Sequence, residues 1–175
     1  MTLELLRPTA AYADRVMNFR AELLQNHDGF DGCAGLETCE TFAAWIAFET
    51  RLKQQYKENY VPSDVFLAVR KSDRKLVGII DFRHPLSPFL LQYGGSIGYS
   101  VAPSERRKGY AGEMLRLMLD VCRAQGEERV LLCCDKDNLA SKRTILKNGG
   151  VLENEVRDDV GLTECGVIER YWITL

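Results

Sequence analysis

Apolar and polar positions follow two periods along this chain, and their order predicts a mixed α/β domain. Short apolar or alternating runs predict strands, whereas apolar residues three and four positions apart predict helices. The predicted strands are Leu3–Leu6, Val65–Arg70, Leu76–Arg83, Ser96–Val101, Arg129–Cys134, Val151–Asp158 and Val167–Leu175. The predicted helices are Thr9–Leu24, Thr38–Tyr60, a helix after Gly109 with Leu115, Met118, Leu119 and Cys122 on its apolar side, and Leu139–Lys147. We therefore expect one domain over residues 1–175, of class α/β (α+β).

The strongest chemical signal lies where the predicted strand Ser96–Val101 gives way to a helix. Pro103 ends the strand because it has no N–H to donate, and Arg106–Lys108 supplies positive charge beside the turn. Gly109 and Ala111 carry little side chain, so backbone amides at the start of the helix can approach a ligand closely. This arrangement predicts an anion site that suits a diphosphate. The alternative is a basic helix start on a solvated surface.

Two common phosphate-binding loops do not fit this segment. A Walker loop requires a second glycine followed by Lys-Ser/Thr, and a dinucleotide fingerprint requires three glycines at fixed spacing. The segment instead resembles the coenzyme A loop of the GNAT family of N-acetyltransferases, whose pattern is Gln/Arg-x-x-Gly-x-Gly/Ala after a strand. Arg106, Gly109 and Ala111 occupy those three positions.

A second segment extends the resemblance. Arg129–Cys134 is typical of a buried strand, and Asn138 is a suitable N-cap for the helix Leu139–Lys147. Asn148–Gly150 then provides a left-handed stop. In the GNAT family an Asn at the corresponding point opens a helix that ends in a Gly-Phe pair, and Gly150 stands here where Phe is usual. The pattern is most similar to the branch that acetylates ribosomal-protein N-termini.

The resemblance implies both a fold and a co-substrate. The fold would be a mixed, mostly antiparallel central sheet flanked by helices, in which two splayed central strands form a wedge for acetyl-coenzyme A. Backbone groups of the strand that ends at Val101 would pair with the pantetheine amides as an added strand does. The cofactor-binding residues that this implies are Tyr99, Val101, Arg106, Arg107, Lys108, Gly109, Tyr110, Ala111 and Asn138.

The catalytic positions that are usual in the family are vacant in this chain. Aminolysis of a thioester needs a base to take a proton from the amine and a donor for the leaving thiolate. Family members carry a glutamate where this chain has Gly95, or alternatively where it has Cys133. The tyrosine that commonly protonates the sulfur is replaced by Ile145. The catalytic groups must therefore come from elsewhere in the chain.

Three other residues are the candidates for catalysis. Asp81 is an acid inside an apolar strand, so it is either a site residue or a structural partner of a base such as Arg83. His84 has a reference pKa that suits a general base, and a bend at the following proline would turn it toward the wedge, but it could equally be a loop residue without a role. Ser141 could form a hydrogen bond with the sulfur or with another part of the cofactor. Alternatively, it is a residue of the first helical turn that merely faces solvent.

The composition of the chain argues against several classes of binding partner. A net charge of −2 over 175 residues argues against an obligate nucleic-acid partner, and no stretch approaches the ~20 apolar residues of a membrane span. The N-terminus lacks the pattern of a signal peptide. The six cysteines form no Cys-x2-Cys pair, so we expect buried reduced thiols, no metal site and a cytoplasmic protein.

The leading hypothesis is an acyltransferase that moves an acetyl group from acetyl-coenzyme A to a primary amine of a small molecule or a protein N-terminus, by direct attack in a ternary complex. The alternative is a coenzyme A-binding regulatory module that has lost activity, which the vacant catalytic positions favour. We expect the acceptor between the first two helices, the loop Asn26–Gly35 and the segment His84–Gln92. A homodimer is one possible assembly.

Overall fold

The computed structural model describes residues 2–54 and 61–175, and its main elements follow the predicted order. The strands are β1 (Leu3–Leu6), β2 (Ser63–Arg70), β3 (Leu76–Arg83), β4 (Ile97–Val101), β5 (Arg129–Asp135), β6 (Val151–Arg157) and β7 (Val167–Thr174). The helices are α1 (Ala13–Gln25), α2 (Phe42–Gln54), α3 (Tyr110–Ala124) and α4 (Leu139–Lys147). None of these described helices has the length and apolar character needed to cross a bilayer.

The strands form two antiparallel sheets that separate between β4 and β5. One sheet has the order β1-β2-β3-β4 and the other has the order β5-β7-β6. Among the described residues the sheets meet at the start of β4, where Gly95 forms a bridge with Leu132 and the Ser96 amide donates to the Leu131 carbonyl (2.6 Å). Farther along, β4 and β5 no longer pair, so a gap opens between them. This arrangement confirms the predicted fold with two splayed central strands.

Helices cover both faces of the first sheet, because alternate residues of β3 enter two separate cores. Phe82 packs in a core shared with Met114 of α3. Ile79 packs in a second core shared with Val16 of α1 and Trp45 of α2. All five side chains are at most 1% exposed, and the burial of each contributes roughly 1.5–3 kcal/mol to folding. Packing on both faces holds β3 and its neighbour β4 in place beside the gap.

The first two helices begin later than the sequence suggests. α1 begins at Ala13 because the three residues before it form a 3₁₀ turn. α2 begins at Phe42, since the Thr41 side-chain oxygen accepts a hydrogen bond from the Ala44 amide (3.1 Å) and so caps the helix there. The predicted continuation of this helix over residues 55–60 lies outside the described residues.

Candidate active site

The edge of β4 that faces the gap presents peptide groups of Tyr99 and Val101. Peptide groups along an antiparallel strand point alternately to its two sides. The Ser96 carbonyl and the Ala102 amide both bond to β3, at 2.7 and 2.9 Å, so the even-numbered positions face β3. The groups of Tyr99 and Val101 therefore point toward the gap, where the Val101 carbonyl accepts a hydrogen bond from Arg106 Nε (3.2 Å).

The loop between β4 and α3 leaves backbone donors at the start of α3. Gly109 has a left-handed φ of +82° and directly precedes the helix. The Glu113 amide donates to the Gly109 carbonyl (3.2 Å), so the amides of Tyr110 and Ala111 come too early in the helix to have an acceptor inside it. A Cβ added at Gly109 would meet no atom within 4 Å, so the loop is open on that side. Such a helix start fits a diphosphate, as predicted.

The three basic residues of this loop differ in their contacts. Arg106 forms an ion pair with Asp28, with 2.9 Å between Nη2 and Oδ2. Lys108 contacts Glu105, with 2.8 Å between Nζ and Oε2. Arg107 is exposed, has a left-handed φ of +61°, and has no ion-pair partner in the part of the chain that the structure describes. Its guanidinium is therefore the one in this loop with its charge left for a ligand.

A buried carboxylate supports the loop from inside. Glu105 is 3% exposed and contacts Lys108, Lys75 and Arg70 at 2.8, 2.6 and 2.9 Å. Hydrogen bonds from the two lysines lower its pKa to about 2. The Tyr110 hydroxyl accepts from Arg70 Nη1 in the same cluster (3.0 Å). The side chains of Lys108 and Tyr110, which the resemblance assigns to the cofactor, thus point into this cluster and position the loop.

On the other side of the gap, α4 begins with a hydroxyl that reaches β4. Asn138 Oδ1 accepts from the Ser141 amide (3.0 Å), which confirms Asn138 as the N-cap. Ser141 Oγ lies 2.9 Å from the Tyr99 hydroxyl, so Ser141 does not merely face solvent. Burial raises the pKa of Tyr99 to about 12. The pair therefore links β4 to α4 and stays protonated at neutral pH.

The vacant family positions have structural explanations. A Cβ at Gly95 would lie 2.7 Å from the Leu131 carbonyl oxygen, so no glutamate fits where β4 meets β5. Ile145 is fully buried in the core beneath α4. Burial raises the pKa of Cys133 to about 12 and that of Cys134 to about 11, so both remain thiols at neutral pH. Neither cysteine is an activated nucleophile, which agrees with direct attack by the amine.

Asp81 and His84 are not brought together. Asp81 is 3% exposed, and its Oδ2 accepts from Arg83 Nε (3.1 Å), which is the structural pairing left open by the sequence. The His84 ring stacks on Phe82, with 4.7 Å between centroids, and its Nε2 lies 3.5 Å from Asp64 of β2. Since successive residues of a strand point to opposite faces, His84 and Asp81 lie on opposite sides of β3. The His84 ring thus packs against Phe82 and Asp64, and its catalytic role stays a prediction.

A cavity of about 210 Å³ lies on the α1–α2 side of the sheet, beside the start of β4. Its charged groups are Asp31, Asp81 and Arg83. The loop 26–35 and Leu90 contribute to its walls, and both belong to segments that the sequence predicts around the acceptor. The apolar walls are Phe30, Leu52, Val61 and Leu90.

Asp31 is the residue of this cavity that the sequence did not single out. Its backbone is tied to β4, because Ser100 Oγ donates to the Asp31 carbonyl (2.8 Å). Asp31 is an exposed residue at the cavity, yet the surrounding protein atoms reduce the solvation of its carboxylate, and this loss of solvation raises its pKa. In the sequence Asp31 is one of two acids, with Asp28, in a glycine-rich loop. Its place depends on a contact with residues far along the chain, so no local signal marks it.

Comparison with known proteins agrees with this geometry. A family model described as an acetyltransferase (GNAT) domain matches residues 3–151, whereas no curated protein sequence matches the chain. The ribosomal-protein-S5-alanine acetyltransferase from Vibrio fischeri has a similar structure, with a TM-score of 0.73 and 16% identity over 99% of this chain and 93% of that chain.

Two further solved structures are similar over nearly the whole chain. The microcin C7 self immunity acetyltransferase MccE, in complex with acetyl-CoA and AMP, has a TM-score of 0.72 and 17% identity over 99% of this chain and 93% of that one. The ribosomal L7/L12 alpha-N-protein acetyltransferase RimL, in complex with coenzyme A, has a TM-score of 0.71 and 16% identity over 100% and 95%. Because the family model covers most of the sequence, this chain belongs to the GNAT acetyltransferase family.

Proposed function

We propose that this acetyltransferase holds acetyl-CoA in the gap between β4 and β5 and passes the acetyl group directly to a primary amine in a ternary complex. The amine enters from the cavity on the α1–α2 side. The observation that carries the proposal is the arrangement of three features along β4. Its outward peptide groups at Tyr99 and Val101 are followed by the open amides before α3, and toward the other end of the strand Gly32, which lines the cavity, lies against Gly98 and Tyr99. The acetyl-CoA and coenzyme A complexes of the two similar enzymes support the same co-substrate.

The cofactor is held mainly by backbone groups. The amides of Tyr110 and Ala111 receive the diphosphate at the positive end of the α3 dipole, and Arg107 adds a charge that no described residue neutralises. The peptide groups of Tyr99 and Val101 pair with the pantetheine amides, as an added strand pairs with a sheet edge. Asn138 caps α4 and so fixes the opposite wall of the gap.

The leaving thiolate is stabilised by the Tyr99–Ser141 pair. A coenzyme thiol ionises near the reference value for cysteine, about 8.5. Tyr99, with a pKa of about 12, is a weaker acid than that thiol, so full proton transfer from Tyr99 to the thiolate is uphill. The two hydroxyls, 2.9 Å apart, therefore act by donating hydrogen bonds to the developing charge, and the proton that completes the thiol comes from solvent.

Tyr99→Phe and Ser141→Ala are each expected to lower kcat roughly 10- to 100-fold, the loss that follows removal of one hydrogen bond to a charged group worth about 1.5–3 kcal/mol. Acetyl-CoA affinity should remain within about twofold, because the peptide groups that bind pantetheine are unchanged. Tyr12→Phe is the control, since it removes a hydroxyl that bonds Arg74 on the far side of the sheet. Steady-state kinetics that leave kcat unchanged in both site variants would remove the pair from the mechanism.

The transfer itself is tested by thiol release. Purified protein is mixed with acetyl-CoA and, separately, with phenethylamine, spermidine, O-phosphoethanolamine and peptides that begin with alanine or serine. We expect release of coenzyme A above the rate without amine, together with one added acetyl group in the product by mass spectrometry. Binding of coenzyme A by calorimetry, without release for any amine, would instead support the regulatory module.

The cellular compartment and the oligomeric state are two further parts of the proposal. All six cysteines are free thiols, and Cys165 is exposed, which supports a reducing, cytoplasmic environment. The homodimer stays a prediction. The edge strand β6 would offer an apolar surface for it, because Val151 and Leu152 are 69% and 46% exposed.

A further inference from the structure

We propose that Asp31 is the general base of the reaction. Resting on the function proposed above, this assignment places the ammonium group of the acceptor against the Asp31 carboxylate at the mouth of the cavity. The cavity behind it then selects a primary amine carried on a compact, largely apolar stem.

The first argument is the contact between the Asp31 loop and β4. A Cβ added at Gly32 would lie 2.1 Å from the Gly98 carbonyl oxygen, so the two backbones approach each other as closely as glycine allows. The hydrogen bond from Ser100 Oγ to the Asp31 carbonyl holds the loop two residues farther along the same strand. Asp31 is therefore fixed beside Gly98 and Ser100. The residue between them, Tyr99, directs its peptide groups toward the gap.

The second argument is that the Asp31 carboxylate is unpaired. Among the side chains that the structure describes, those of residues 2–52 and 61–175, none donates a hydrogen bond to it or forms an ion pair with it. The cation of the cavity, Arg83, is engaged elsewhere: its Nε donates to Asp81 and its Nη1 donates to the Gly94 carbonyl (3.2 Å). Asp31, Asp81 and Arg83 together carry a net charge of −1, so the cavity attracts a cation and leaves Asp31 to meet it.

The surroundings also suit proton transfer. Loss of solvation is the largest influence and raises the pKa of Asp31; Arg83 lowers it and Asp81 raises it. The other titratable groups that sense its charge are Tyr99 from β4 and Cys33 from its own loop, and both are neutral at pH 7. A base with a pKa moved toward neutrality accepts a proton from an amine more readily than an ordinary aspartate does.

The reaction balances with this assignment. Asp31 takes one proton from the ammonium group, and the freed electron pair on nitrogen forms the C–N bond with the thioester carbonyl carbon. The C–S bond breaks, and its electron pair leaves with sulfur, which then takes up a proton. Nitrogen loses a second proton as the amide forms. Acetyl-CoA and an ammonium ion thus give an amide, coenzyme A and one proton released to solvent.

The cavity limits the acceptor. Its volume of about 210 Å³ is below the roughly 300–1,000 Å³ of pockets that take drug-sized ligands, so it admits a compact group. Phe30, Leu52 and Leu90 make its walls apolar. An anionic group on the acceptor would be repelled by the negative charges of Asp31 and Asp81. We therefore expect phenethylamine to be acetylated with a higher kcat/KM than O-phosphoethanolamine, which carries a phosphate.

Asp31→Asn tests the base. With the best amine of the panel, kcat should fall about 10²–10⁴-fold, while acetyl-CoA affinity and the melting temperature stay close to those of the wild type. The wild-type kcat/KM should decline as the pH falls through the raised pKa of Asp31, because a protonated carboxyl cannot accept a proton. In Asp31→Asn this decline should be replaced by a rate that follows the fraction of free amine. Asp31→Glu should recover part of kcat, and Glu37→Gln, which changes an exposed acid of the 3₁₀ turn Leu36–Thr38 after the loop, should behave as the wild type.

The outcomes separate this inference from the function on which it rests. An active wild type with an equally active Asp31→Asn and an unchanged pH profile overturns the role of Asp31 alone. A loss of turnover that is matched by lost acetyl-CoA binding or a lowered melting temperature also overturns it, because the residue would then be structural. A preference for O-phosphoethanolamine overturns the assignment of the cavity. A wild type that acetylates none of the amines overturns the proposed function, and this inference with it.

Discussion

Gly109→Val is expected to lower the affinity for coenzyme A by at least about 100-fold, which corresponds to about 2.7 kcal/mol. The Gly109 φ of +82° is strained for a β-branched residue, so the turn must shift the amides of Tyr110 and Ala111 away from the diphosphate. The valine side chain would also occupy the open space beside the loop. Two or three weakened charge-assisted hydrogen bonds, at about 1.5–3 kcal/mol each, are enough for this loss. Titration calorimetry with coenzyme A measures it.

Gly126→Val is the matched control. Gly126 follows the other end of the same helix, has a φ of +86°, and likewise has nothing within 4 Å of an added Cβ. The two variants therefore introduce the same side chain under similar backbone strain, and we expect similar melting temperatures. Only Gly109→Val should lose coenzyme A. Equal affinity in the two folded variants would contradict the assignment of the loop.

Asp81→Asn is expected to destabilise the protein by about 3 kcal/mol, at the low end of the cost of breaking a buried ion pair, because Arg83 is 18% exposed. The substitution leaves the largely buried Arg83 charge without the carboxylate to which it is hydrogen-bonded. It also weakens the acceptor of the Gly98 amide, which bonds Asp81 Oδ1 at 3.1 Å. For a domain of this size the melting temperature should fall by roughly 6–12 °C, measured by thermal unfolding.

Two comparisons identify the cause. Asp120→Asn removes an exposed carboxylate that pairs with Arg123 on α3, and it should change stability by less than about 1 kcal/mol. Arg83→Met combined with Asp81→Asn should be less destabilising than the sum of the single variants, since no charge is then left buried without its partner. An Asp81→Asn protein with full thermal stability and lost turnover would instead support the catalytic role that the sequence left open.

The conformation of the loop before α3 was predictable because it is local. The proline, the glycine and the helical spacing that follows lie within a few residues of one another, and backbone sterics alone place Gly109 before α3. The cap of α4 by Asn138 is local in the same way. The start of α2 was harder, because both Thr38 and Thr41 are suitable N-caps and the tertiary position of the preceding turn decides between them.

The base could not be predicted in this way. Asp31 is one of two acids in a glycine-rich loop, and only the approach of Gly32 to Gly98 brings this loop to the gap. The converse applies to His84, whose residue type suits catalysis but whose ring stacks on Phe82 and faces Asp64. In both cases the residue type carries the chemistry, whereas contacts distant along the chain decide whether that chemistry lies at the site.

The sequence by itself determined the order of strands and helices, the family resemblance and the glycine turn before α3, since periodicity, capping and turn chemistry act over a few residues. Only the tertiary structure decided how β4 separates from β5 after Gly95, which hydroxyl meets Tyr99, and which carboxylate remains unpaired at the cavity. These features depend on pairings across sheets and on the competition among charged groups for partners, and neither is encoded in any short stretch of the chain.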